Sequence, residues 1–99
     1  MTIEKKSENN SVILSVCGEL TALTVNQLSV AVKAVIPETD HLVLDFKNVE
    51  YVASAGLRVL LEAKKLLDAK EGKFIVRNTS EAVMHIFEIT GFSDMLNLE

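Results

Sequence analysis

Tyr51-Val52-Ala53-Ser54-Ala55-Gly56-Leu57-Arg58-Val59-Leu60-Leu61 changes character at its midpoint, from the end of a loop to the start of an amphipathic helix. Upstream, His41-Leu42-Val43-Leu44-Asp45-Phe46 is almost continuously apolar, as a strand covered on both faces requires, and it is expected to be the central strand. Lys47 to Val52 reads as a connecting loop. From Ser54 the apolar residues Val59, Leu60, Ala63, Leu66 and Leu67 fall along one helical face, and Gly72 is placed to stop the helix. Ser54 stands where the loop becomes helix, so its hydroxyl is expected to cap the first free backbone N–H groups. Ala53, Ala55 and Gly56 around it are small, which leaves that hydroxyl and the helix N-terminus open to a flat approaching surface.

On the N-terminal side, Ile3 to Lys6 and the β-branched run Val12 to Cys17 form two strands joined by the polar turn Asn9-Asn10-Ser11. Gly18 is expected to end the second strand. From Thr24, Val25, Leu28, Val32 and Val35 follow helical spacing until Pro37 closes the helix. On the C-terminal side, Lys73 to Val76 is a strand, and Ser80 is an N-cap for a helix that carries Val83, Ile86 and Phe87 inward. Gly91 fits the C′ position of that helix with Phe92 folding back, and the tail Ser93 to Leu98 is expected to add one helical turn. The order β-β-α-β-α-β-α predicts one α/β domain over residues 1–99, a mixed four-stranded sheet with helices packed against it through right-handed crossovers.

With 99 residues the chain has room for one compact domain, which excludes two-domain enzymes. A net charge of −4 and the absence of a basic run argue against nucleic-acid binding, and Lys64-Lys65 reads as a solvated helix face. No apolar stretch approaches the roughly 20 residues of a membrane span, and Met1 to Asn10 has no signal-peptide core, so a cytoplasmic protein without membrane insertion is expected. Cys17 is the only cysteine, has no disulfide partner and reads as a small core hydrophobe, not as a nucleophile. His41 and His85 have no companion at ligand spacing, so neither a metal site nor a catalytic constellation is expected. Phosphate-binding glycine loops are missing as well, and no cofactor is expected.

Four segments in order resemble the STAS domains, specifically the bacterial anti-sigma factor antagonists. Ala53-Ser54-Ala55-Gly56-Leu57 is similar to the family's Asp-Ser-Ser/Thr-Gly-Leu signature, and Gly18-Glu19-Leu20 to its Gly-Glu-Leu-Asp turn. Leu42 to Phe46 resembles its central strand ending in Asp, and Ser80-Glu81-Ala82-Val83 with Thr90-Gly91-Phe92 its last helix. The resemblance implies a non-enzymatic partner switch. In it, Ser54 is phosphorylated by an anti-sigma factor that is also a serine kinase, the unphosphorylated form binds that kinase and frees its sigma factor, and a PP2C-type phosphatase resets the system. The sequence departs from the family at Ala53 and Thr21, each standing where the family has an Asp.

The contact surface that the resemblance implies comprises Glu19, Thr21 and Thr24 in the turn, Asn48 and Tyr51 in the loop, and Ala55, Gly56 and Arg58 beside Ser54. Tyr51 has two readings, an interface anchor or an aromatic that closes the core beneath the loop. Arg58 is either solvated or a partner contact. Two other functions stand beside the switch: a constitutive STAS adaptor subunit of a transport or signalling complex, motivated by the two missing aspartates, and a small-molecule or nucleotide binder that uses the free N–H groups near Ser54 as an anion site. A monomer is expected, because Lys5 and Lys6 on the first strand discourage edge pairing.

Overall fold

The computed structural model describes residues 1–99. Strands β1 (Thr2–Glu8), β2 (Ser11–Leu20), β3 (His41–Val52), β4 (Lys73–Arg77) and β5 (Asn97–Leu98) alternate after the first hairpin with helices α1 (Val25–Val35), α2 (Ser54–Ala69), α3 (Glu81–Thr90) and α4 (Phe92–Met95). They form one mixed sheet in the order β1-β2-β3-β4-β5, in which β1 and β2 are antiparallel and the other neighbours parallel. The central position of β3 agrees with its apolar sequence. The sheet has five strands where the sequence predicts four. The expected helical turn in the tail is α4, after which buried Leu96 draws the chain back onto the core and Asn97–Leu98 lie beside β4. Backbone bonds from Asn78 N–H to the Glu99 carbonyl (3.0 Å) and from Glu99 N–H to the Val76 carbonyl (3.0 Å) hold that strand.

Alternate residues of the three inner strands have different surroundings. Val12, Leu14 and Val16 of β2, Leu42, Leu44 and Phe46 of β3, and Phe74 and Val76 of β4 share one core with Leu28 and Val32 of α1, Leu60 and Leu67 of α2, and Val83 and Phe87 of α3. Ile13, Val43 and Ile75 stand in register across the opposite face and form a separate apolar row. The helices all pack on the first face, so the apolar run of β3 does not mark helices on both sides. Its outward member, Val43, is shielded instead by its cross-strand neighbours Ile13 and Ile75. Leu66, placed by spacing on the inner stripe of α2, is 38% exposed at the margin of that stripe. Cys17 is exposed on the helix-free side and does not belong to the core, because it alternates with buried Val16.

Residues 47–52 are strand, not loop. The register runs Ser15 to Asp45, then Cys17 to Asn48, Gly18 to Val49 and Leu20 to Val52, so β3 takes one extra residue at each of two bulges. Each extra residue converts the inward period from two to three. Leu42, Leu44 and Phe46 are followed inward by Val49 and Val52, a pattern with no strand periodicity in the sequence. Gly18 lies within β2 at φ +126°, a conformation open to glycine, and the strand continues through it to Leu20.

Several helix boundaries follow the expected chemistry. Ser80 caps α3 by accepting from Val83 N–H (3.2 Å), and Gly91 ends it at φ +82°. Pro37 sits in the short 3-10 turn that closes α1. After α2 the left-handed residue is Glu71 (φ +57°), not Gly72. Gly72 is required for a different reason: a Cβ there would lie 2.6 Å from the Asp40 carbonyl oxygen.

The same corner holds Thr39, the one buried polar residue, whose hydroxyl accepts from His41 N–H (3.0 Å) and lies 3.1 Å from the Asn10 carbonyl oxygen. Lys70 ties α2 to this corner through the Ile36 (2.6 Å) and Thr39 (3.1 Å) carbonyls. Thr39→Val removes the hydroxyl that answers the His41 N–H at this part-buried corner and is expected to cost about 1–3 kcal/mol, read as a lower urea midpoint at unchanged m-value.

Candidate functional site

The two bulges determine where β3 ends. They bring Val52 opposite Leu20 with both side chains buried, and the next residue, Ala53, donates its N–H to the Leu20 carbonyl (2.7 Å). Ala53 is the N-cap of α2 and supplies no side-chain bond; Gly56 N–H (2.9 Å) and Leu57 N–H (3.1 Å) close the first turn onto its carbonyl. Ser54 is therefore the first helical residue, one position beyond the cap expected from the sequence. Its hydroxyl makes no hydrogen bond and the residue is exposed. A serine at N1 points its side chain away from the amides that an N-cap would bond, so the hydroxyl is left without a structural duty.

Gly56 is buried, and a Cβ on it would lie 2.9 Å from both Leu20 Cβ and Val52 Cγ1. It lets the helix start settle on the Leu20–Val52 pair and faces the core, so it is not part of an exposed contact surface. Ala55 beside it is half-buried. Arg58, one turn further on, is exposed and forms no ion pair. Its i+4 carboxylate, Glu62, is bonded to Lys33 (2.8 Å).

The β2–α1 turn lies against this helix start through the Leu20–Ala53 bond. Thr24 Oγ1 donates to the Glu19 carbonyl (2.6 Å) and accepts from Thr21 N–H (3.0 Å), and Thr21 Oγ1 accepts from Leu23 N–H (3.2 Å). Both threonines are thus half-buried stitches of the turn, while Glu19 is exposed. The turn holds out Leu23, which is 94% exposed. Leu23 is the residue that sequence reasoning did not single out; its signal is a leucine in the turn Thr21-Ala22-Leu23-Thr24, outside the helical spacing that starts at Val25. Tyr51 is 47% exposed, one position before the Leu20–Val52 pair, and does not close the core. Asn48 stands apart from this group. It is opposite Cys17 on the helix-free face, in a shallow depression shared with Thr2 and Ser15.

Asp45, the acidic end of the apolar run, also faces the helix-free side. Burial pushes its carboxyl up, but the Lys47 backbone N–H (3.0 Å), the Asn78 amide (3.1 Å) and the Arg77 guanidinium (3.5 Å) together hold it below the usual carboxylate value. A lowered value in the fold means that the ionised form stabilises it. That stabilisation is complete above the unfolded value of about 3.9 and is lost as pH falls through the folded value. Asp45→Asn is expected to be less stable at neutral pH and to show a shallower loss of stability below about pH 4 in acid titration followed by circular dichroism.

A model of the STAS domain matches residues 2–99. The chain belongs to the STAS family. Among its relatives, the anti-sigma-B factor antagonist of Listeria monocytogenes is 28% identical over 96 residues, covering 96% of this chain and 84% of that protein. The solved structure of an anti-sigma factor antagonist from Mycobacterium paratuberculosis matches with a TM-score of 0.90 at 28% identity, over 98% of this chain and 83% of that one. The Bacillus cell fate determinant SpoIIAA in its phosphorylated form shares the fold at 19% identity, with a TM-score of 0.75 over 99% of this chain and 91% of that one. The resemblance carried by Gly18-Glu19-Leu20, Leu42 to Phe46, Ala53 to Leu57 and the last helix thus reports the family, and the STAS domain occupies nearly the whole chain.

Proposed function

We propose that this STAS domain is a phosphorylation-controlled anti-sigma factor antagonist. With Ser54 unmodified it binds an anti-sigma factor that is also a serine kinase, and the sigma factor is released; phosphorylation of Ser54 ends the association, and a PP2C-type phosphatase restores it. The observation that carries this reading is the state of Ser54: exposed, unbonded, and at the first position of a sixteen-residue helix. A phosphate there gains about −1.5 to −2 charges next to free backbone N–H groups and the positive end of the helix dipole, so the domain accepts it without unfolding. Ser54, Arg58, Leu23, Glu19 and Tyr51, all exposed, form the contact surface in this reading. The protein acts as a binding module, not a catalyst. A cytoplasmic location is part of this reading; no helix is long and apolar enough to cross a membrane.

A second reading, a constitutive adaptor that is never phosphorylated, is favoured by Ala53 and Thr21. The former caps α2 without a side-chain bond and the latter accepts Leu23 N–H within its own turn, so neither offers a carboxylate to a partner. Intact mass of the protein isolated from its own host, with and without phosphatase treatment, separates the two. A phosphatase-sensitive species that disappears in Ser54→Ala is the expected result; its absence under every growth condition supports the adaptor.

A further inference from the structure

β1 is an outermost strand of seven residues, with no proline and with unbroken register from Thr2 opposite Cys17 to Glu8 opposite Ser11. Strand edges of this length are normally guarded by bulges or free charges. The bulges of this sheet are in β3, and of the two lysines of β1 only Lys5 is held, by the Glu38 carboxylate (2.8 and 2.9 Å); Lys6, 72% exposed and 3.3 Å from its own neighbour Glu8, keeps a charge to offer across the edge. On the helix side of β1, Ile3 and Leu14 floor an apolar groove whose wall is Val30, Ala31 and Ala34 of α1, with Val30 60% exposed.

We propose that two copies pair β1 to β1 in antiparallel fashion about a twofold axis through Lys5, making one continuous sheet. The charges of the strand select both the partner and the register. An axis normal to the sheet keeps each face on its own side, so only residues of equal parity meet. Centred on Lys5, the helix-free face then pairs Glu4 with Lys6 of the second copy, twice, and Thr2 with Glu8. Centred one residue earlier, Glu4 meets its own copy; centred one later, Lys6 meets its own copy and Glu4 meets Glu8. On the helix side the two Lys5 residues approach each other, but each charge is already answered by Glu38 of the same chain. The strand is thus complementary to itself in one register and repulsive in its neighbours. The same arrangement sets the apolar walls of the two α1 helices on either side of the new junction. It leaves the helix start at Ser54 free, so the inference does not depend on the switch reading.

Sedimentation velocity from about 10 µM to about 1 mM tests this on the intact protein, with three variants at exposed positions. The wild type is expected to shift from monomer to dimer with concentration. Glu4→Lys, which sets two lysines against two others, is expected to weaken the dimer about tenfold, and Glu4→Lys with Lys6→Glu to restore it. In a Cys17→Ser background, Lys5→Cys is expected to form a disulfide-linked dimer on mild oxidation. A wild type that stays monomeric throughout the range overturns the proposal, as does a dimer indifferent to Glu4→Lys or one that the double exchange fails to restore.

Discussion

Ser54→Asp is expected to remain folded and, on the proposed function, to lose at least about a hundredfold in affinity for the proposed anti-sigma factor partner, which at ~1.4 kcal/mol per tenfold equates to about 3 kcal/mol. The position favours a negative charge within the domain, because backbone N–H groups at the start of α2 and the helix dipole stabilise it by about 0.3–1 kcal/mol. Against a partner the same charge must be stripped of water, and without a cation on the partner that costs several kcal/mol. Arg58, free of any ion pair, is the cation one turn away; an i,i+4 pair on an exposed helix recovers about 0.2–0.5 kcal/mol and leaves the penalty standing. The domain gains slightly while the complex loses much, which is the asymmetry a switch requires. Titration calorimetry of the purified pair, alongside thermal melts showing a midpoint that is undiminished or a few degrees higher, measures both halves. Undiminished binding by Ser54→Asp would count against the switch and favour the adaptor.

What the sequence makes legible here depends on whether an element keeps one period. The helices do, so Leu28, Val32 and Val35, or Val83 and Phe87, could be assigned from spacing, and Ser80 and Gly91 announce their own boundaries by their chemistry. β3 does not, because its two bulges change the inward period after Phe46, and residues 47–52 therefore resemble a loop. The candidate contact residues divide accordingly: Asn48 belongs to the sheet's other face and Gly56 to the core, while Tyr51, Glu19 and Arg58 are exposed. Ser54 itself was found through its neighbours, but its exact position depends on the Leu20–Ala53 hydrogen bond, a contact between residues 33 apart that local sequence does not encode. β5 is invisible for a related reason, since two residues cannot display alternation and Asn97–Leu98 pair with β4 only because buried Leu96 returns the chain to it.

Phe46→Ala is expected to be the most damaging single truncation in β3, at about 3–5 kcal/mol. Its side chain is fully buried at the last inward position before the first bulge, in the core shared by all three long helices. Against the roughly 5–15 kcal/mol that stabilises a domain of this size, the loss removes a large fraction, and a melting midpoint lower by about 15–30 °C is expected. Tyr51→Ala, five residues further along the same strand, removes a half-exposed ring and is expected to change stability by no more than about 0.5 kcal/mol while weakening partner binding. The pair of variants tests the register as well as the packing. If the first bulge fell one residue earlier, Lys47 would take the inward position and Phe46 would turn to the helix-free face, where truncation costs little. Chemical denaturation of both variants therefore reports whether β3 is bent where the structure bends it, and that bend is what delivers Ala53 to Leu20 and Ser54 to the surface. A loss below about 1 kcal/mol in Phe46→Ala would place the bulge elsewhere, and with it the start of α2.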